Sequence, residues 1–143
     1  MNKNIIILDD EPLIPVLVKE LVEEESDLTI AAVAATRADF LDLIRTQPFA
    51  AALVDISIGE REGGLGLLKI LQEEGNPLPC IALSAHGEME YAVKCLNAGA
   101  RGYMNKSRIC QELVTCLNTV IGGERFISGA DGKLLLDEYT RSL

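Results

Sequence analysis

Four short stretches hold the residues of this sequence best suited to chemistry: Asp9-Asp10-Glu11, Asp55, Ser84-Ala85 and Lys106. Each follows a short apolar run, namely Ile5 to Leu8, Ala51 to Val54, Cys80 to Leu83 and Gly102 to Met104. If those runs are neighbouring strands, all four stretches converge on one sheet edge. Three carboxylates brought together there raise one another's pKa. A hard divalent cation such as Mg²⁺ relieves this, because it accepts carboxylates, keeps waters and leaves positions for phosphate oxygens. In such a setting Asp55 is suited to act as a carboxylate nucleophile that forms an aspartyl-phosphate. Lys106 would pair the carboxylates and hold phosphate, and the Ser84 hydroxyl would donate to an anionic oxygen. Each residue also has a plainer role: Asp9 and Asp10 as turn or N-cap residues, Asp55 as the closer of an Asx-turn, Ser84 as a turn residue and Lys106 as a surface cation. An acidic pair with a third aspartate at a neighbouring strand end favours the metal reading over these.

The elements that must position these residues are legible from hydrophobic period. Three runs of four apolar residues suit parallel strands covered on both faces. A weaker run spans Leu28 to Ala34, and a fifth is Gly102-Tyr103-Met104. Between them lie helical stripes: Ile14, Leu17, Val18, Leu21 and Val22; then Met89, Ala92, Val93 and Leu96; then Ile109, Leu113, Leu117 and Val120. Less regular helices fit Ala38 to Arg45 and Leu65 to Glu74. Pro12 and Pro15 bracket the start of the first helix, and Gly122-Gly123 stops the last long one. Strand and helix thus alternate five times, which predicts an α/β fold: a flavodoxin-like (βα)5 open parallel sheet of strand order 2-1-3-4-5 with helices on both faces. Residues 1–123 form that domain. Residues 124–143 read as a linker or C-terminal extension in which Leu134 to Tyr139 make one or two helical turns, with no output domain in the sequence.

Composition narrows the function classes. The 143 residues are 48% hydrophobic, enough for one domain with a real core. Lys and Arg number 13 against 22 Asp and Glu, a net charge of −9 that opposes binding to nucleic acid or anionic membrane by this chain alone. Aromatics make up 4% with no tryptophan, so a base-stacking platform is absent. No apolar run is long enough to span a membrane, and the start is too short for a signal peptide, so the expected location is cytoplasmic. Cys80, Cys95, Cys110 and Cys116 include no Cys-x-x-Cys pair and read as reduced, mostly core thiols. His86 is the single histidine and reads as a loop residue rather than a base. The glycine-rich stretch from Gly59 to Gly66 matches no phosphate-binding motif.

Taken in order, Ile-Ile-Ile-Leu-Asp9-Asp10-Glu, Leu-Val-Asp55-Ile, Leu-Ser84-Ala85 and Gly-Ala-Arg-Gly-Tyr103-Met-Asn-Lys106 resemble the receiver domain of two-component response regulators over residues 4 to about 122. Residues 99–128, especially Gly122-Gly123-Glu124-Arg125-Phe126-Ile127-Ser128, resemble the LuxR-type transcription regulators. The sequence departs from the family pattern at Ser57-Ile58, where Met-Pro is frequent, and at Ser107, where proline often follows the lysine.

The resemblance implies Mg²⁺ held by Asp9 or Asp10, by Asp55 and by the backbone carbonyl of Ser57, with Asp55 the phosphoacceptor. It implies Ser84, Ala85 and Lys106 around the phosphoryl group. It further implies a switch in which Ser84 moves and Tyr103 turns inward. The implied partner is a sensor histidine kinase or a phosphotransfer protein. The Leu134 to Tyr139 segment would pack on the receiver or on a second copy in a homodimer. Catalysis would be limited to the chain's own phosphorylation and dephosphorylation, and the output would be transcription regulation through a partner or DNA-binding domain. The alternatives are a non-phosphorylated pseudo-receiver that serves as an interaction module, and a flavodoxin-like enzyme acting on a small molecule.

Overall fold

In the computed structural model, described over residues 1–59, 63–85 and 89–143 apart from the side chains at 89 and 90, strands and helices alternate along the chain. The order is β1 (Asn4–Leu8), α1 (Leu13–Glu25), β2 (Thr29–Ala34), α2 (Arg37–Thr46), β3 (Ala51–Asp55), α3 (Gly63–Glu73), β4 (Cys80–Ser84), α4 (Met89–Asn97), β5 (Gly102–Asn105), α5 (Ile109–Ile121), β6 (Phe126–Ile127) and α6 (Gly132–Ser142). A single 3₁₀ turn, Lys106–Arg108, joins β5 to α5. His86 and part of the Gly59 to Gly66 loop lie outside the described residues.

The strands form one parallel sheet of order β2-β1-β3-β4-β5-β6. Successive side chains of a strand point to opposite faces, so each continuous apolar run feeds two cores. Ile6, Leu8, Ala52, Val54 and Ala82 face one side, where they meet Phe40 of α2, Leu67, Leu68 and Leu71 of α3, and Ala92, Cys95 and Leu96 of α4. Ile5, Ile7, Leu53, Ile81 and Leu83 face the other, against Val18 and Val22 of α1 and Leu113, Cys116, Leu117 and Val120 of α5. The weaker run at β2 has a physical cause: it is an edge strand, and Val33 remains half exposed.

The order 2-1-3-4-5 expected from the sequence is present, and the sheet continues past it. The segment read as a linker supplies β6, which pairs in parallel with β5 through Gly102 to Phe126 and Tyr103 to Ile127. It then supplies α6, eleven residues rather than one or two turns, with Leu135, Leu136 and Tyr139 packed on the α4 side of the sheet. Two strand residues are too few to show a period-two pattern, so this strand leaves no mark in the sequence.

Three of the four cysteines are buried and Cys110, at the start of α5, is exposed. Burial pushes the Cys80 thiol up to about 12 and that of Cys116 further, which suppresses the reactive thiolate. A thiol-disulfide reagent at pH 8 should therefore modify one cysteine, Cys110, in the folded chain, and the other three only after denaturation. Rapid modification of Cys80 or Cys116 under native conditions would contradict this packing.

Candidate functional site

Adjacent strands lie about 4.8 Å apart, so register decides which strand-end residues meet. Leu8 pairs with Val54, Asp55 with Leu83, and Ser84 with Asn105. Asp9 and Asp55 therefore emerge side by side from β1 and β3, Ser84 closes β4, and Lys106 follows β5. All lie at the carboxyl ends of the strands, the edge where open parallel sheets bind ligands.

Asp9 and Asp55 are held in the same way. Asp9 Oδ1 accepts the backbone N–H of Glu11 at 2.8 Å, and Asp55 Oδ1 accepts that of Ser57 at 3.0 Å. Each is an Asx-turn that fixes one oxygen and presents the other. The presented oxygens face one ammonium: Lys106 Nζ lies 3.4 Å from Asp9 Oδ2, 3.5 Å from Asp55 Oδ2 and 2.9 Å from Glu11 Oε1. The Asx-turn and ligand readings of these aspartates are thus compatible, since different oxygens serve each. N-capping is not their role, because Pro12 occupies the N-cap of α1 and no side chain caps it.

Electrostatics show a site short of positive charge. Burial raises the Asp9 pKa; the Glu11 N–H and Lys106 work against this, and Asp55 adds to it. Burial opposes the charge of Lys106, but the hydrogen bond to Glu11 and the charges of Asp55, Asp9 and Glu11 together raise its pKa. One ammonium faces three carboxylates, and the buried Asp9 Oδ2 accepts no hydrogen bond. Ligand oxygens of Asp9, Glu11 and Asp55 all lie within 4.8 Å of one another. An all-oxygen donor set with an unsatisfied buried oxygen fits a hard divalent cation.

The backbone around Asp55 is fixed closely. Ile56 N–H donates to Leu83 O at 3.1 Å and Gly64 N–H to Ile56 O at 3.0 Å. A Cβ on Gly64 would meet Asp55 O at 2.2 Å, so only glycine lets α3 begin this close to the site.

Of the residues singled out from sequence, the structure brings together Asp9, Asp55 and Lys106. Ser84 is fully buried one residue beyond the partner of Asp55, while Ala85 and Ser57 are exposed. Asp10 is exposed and outside the cluster. Tyr103 is already buried, packed with Ala92, Cys95, Leu96 and Ile127. Glu11, named with Asp9 and Asp10 but given no ligand role, belongs to the cluster. Its signal is alternation: along an extended segment residues 9 and 11 share a side and residue 10 faces away.

Residues 5–118 match the response regulator receiver domain family. Over 125 residues the chain is 26% identical to the response regulator UvrY of Escherichia coli K12, which covers 87% of this chain and 57% of that protein. Over 104 residues it is 34% identical to an NtrX-like response regulator of Rickettsia typhi, covering 72% of this chain and 22% of that protein. The chain thus spans little more than half of the first relative and under a quarter of the second. Among solved structures, a LuxR-family two-component response regulator from Aurantimonas sp. SI85-9A1 shares the fold with a TM-score of 0.83 at 21% identity, over 99% of this chain and 98% of that one.

The raised Asp9 pKa sets a sign for stability. A carboxyl whose folded pKa lies above its unfolded value costs stability once ionised, and the cost vanishes when both states are protonated. Asp9→Asn keeps the shape and removes the charge. It should stabilise the chain at pH 7, because it removes a charge opposed by burial and by Asp55. The gain should shrink as pH falls toward about 4, the ordinary range for aspartate, and be absent below it. Urea unfolding at both pH values measures it, and a variant less stable than wild type at pH 7 would show that the Asp9 charge is already satisfied.

Proposed function

Since this chain belongs to the response regulator receiver domain family, we propose that it works as a phosphorylation-controlled switch with Asp55 as its phosphoacceptor. The observation that carries this reading is the placement of Asp55: one oxygen pinned by Ser57 N–H, the other facing the Lys106 ammonium beside two further carboxylates.

The chemistry follows from those contacts. The pinned oxygen orients the carboxylate, so its free oxygen is presented in one direction to an incoming phosphoryl group. Attack by that oxygen forms an O–P bond as the P–N bond of a phosphohistidine, or the P–O bond of acetyl phosphate, breaks and its electrons leave with the donor. Lys106 offsets charge on the phosphoryl oxygens, and Ser84 and the backbone at Ala85 flank them. Asp9 and Asp55, with Glu11 or Asp10 and the Ser57 carbonyl, are the residues that would hold Mg²⁺. When bound, that ion supplies the positive charge by which two anions can approach each other. The catalysis involved is limited to the chain's own phosphoryl transfer and its reversal.

The donor on this reading is a sensor histidine kinase or phosphotransfer protein acting in the cytoplasm, and residues 1–123 are the receiver proper. The net charge of −9 opposes direct contact with DNA, so transcriptional output is assigned to other residues or another protein. No helix among the described residues is long and apolar enough to cross a membrane.

Incubation with acetyl phosphate and Mg²⁺ should add one phosphoryl group, read by intact mass. Asp55→Asn and chelation of the metal should each abolish the gain. Full labelling of Asp55→Asn at another residue would overturn the assignment, and an unlabelled wild type would leave the chain a pseudo-receiver.

A further inference from the structure

The C-terminal extension is tied to the chain segment that carries Lys106. Asn105 N–H donates to the Ser128 hydroxyl at 2.9 Å, and Ser128 N–H donates to Tyr103 O at 2.9 Å. The Asn105 side chain caps the 3₁₀ turn by accepting Ser107 N–H at 2.9 Å. On the far side of the turn, Arg108 Nε donates to Glu112 at 2.8 Å, and the same carboxylate oxygen accepts Gly129 N–H at 2.9 Å. Residues 105–108 are thus held at both ends by residues 128 and 129, directly at Asn105 and through Glu112 at Arg108.

The anchor itself is built, not draped. Ile127 pairs with Tyr103 and is buried. Leu135, Leu136 and Tyr139 pack against the same core, and Arg125 lies 5.6 Å from the Tyr139 ring. A Cβ on Gly132 would fall 1.9 Å from Ile127 O, so α6 starts in contact with the β6 backbone.

We propose that Ser128 is a positioning residue for Lys106, and that β6 and α6 form a working part of the phosphoryl site. Lysine carries a flexible four-carbon stem, and its delivery of charge to one point depends on how firmly its backbone is fixed. Locking Asn105 before the lysine and Arg108 after it lowers the ordering cost of each encounter with an anion. The proposal rests on the reading of Asp55 as phosphoacceptor and adds to it a residue three strands away with no contact to the reacting atoms.

The test follows phosphorylation of the full chain by acetyl phosphate as Mg²⁺ is varied, with intact mass as the readout. Ser128→Ala should slow labelling at saturating acetyl phosphate by about three- to ten-fold, the scale of one hydrogen bond, with half-saturation by Mg²⁺ unchanged. Ser128→Thr keeps the hydroxyl and should restore the rate; a merely structural loss would not show that rescue. Gly132→Ala, which drives α6 off β6, should slow labelling to a similar degree and is the second test should Ser128→Ala misfold. Equal rates for wild type and Ser128→Ala overturn the proposal, as do equally slow Ala and Thr variants. So does an unchanged rate in Gly132→Ala whose residues 132–142 exchange faster with deuterium. Absence of a mass gain in wild type overturns the phosphoacceptor reading and this proposal with it, whereas labelled wild type with unaffected variants overturns this proposal alone.

Discussion

The rest of the structure is arranged around one ammonium that stands against three carboxylates. At an effective dielectric near 20, two unit charges about 4 Å apart interact by on the order of 4 kcal/mol, so the buried Asp9 and Asp55 repel each other on the scale at which Lys106 attracts each. Glu11 is half solvated, but the Asp9 and Asp55 side chains are almost fully buried. That cluster persists only because backbone geometry holds it. Strand order sets Asp9 beside Asp55, one Asx-turn fixes each carboxylate, and a glycine at position 64 lets α3 start directly against Asp55. The cation must arrive from two strands away, roughly 10 Å by strand spacing. A lysine spans that gap across β4.

The two cores supply the stability that the site withholds. Every residue of β3 and β4 is buried, so the strands that end in Asp55 and Ser84 are clamped between helical layers. β5 has only four residues and stands where a five-stranded sheet would end. The extension covers that edge, and β6 becomes the edge in its place. The same addition leaves Tyr103 enclosed, with Ile127 beside it in the sheet and the α6 side chains on the same core. The Tyr103 ring is accordingly buried in this structure.

Much of this was legible in the sequence where a single physical rule governed the residues. Unbroken apolar runs marked the central strands because those are buried on both faces, and the helical stripes of α1, α4 and α5 followed from a period of 3.6. Asp9, Asp55 and Lys106 were legible because each closes or follows such a run. β6 escaped because a two-residue strand has no period, and its partner is fixed by tertiary packing alone. The part Glu11 plays escaped for a different reason: adjacent acidic residues look alike in a sequence, and only the direction of the chain beyond Leu8 separates position 11, turned toward Lys106, from position 10, turned to solvent. The hydrogen bond between Asn105 and Ser128 joins positions far apart in the chain and carries no local signal.

On the proposed reading, the exposure of Glu11 leaves Lys106 able to turn to an anion. Lys106 holds one charge and three claimants. Asp9 and Asp55 are desolvated and cannot release it without cost. Glu11 can, because water replaces the ammonium at an exposed carboxylate and surface ion pairs contribute only about 0–1 kcal/mol. An anion placed beside Asp55 would therefore draw Nζ from Glu11 at little expense, while Asp9 and Asp55 keep their hold on the ammonium. The arrangement separates two tasks within one side chain: the buried pair fixes where the ammonium can be, and the solvated pair keeps it available.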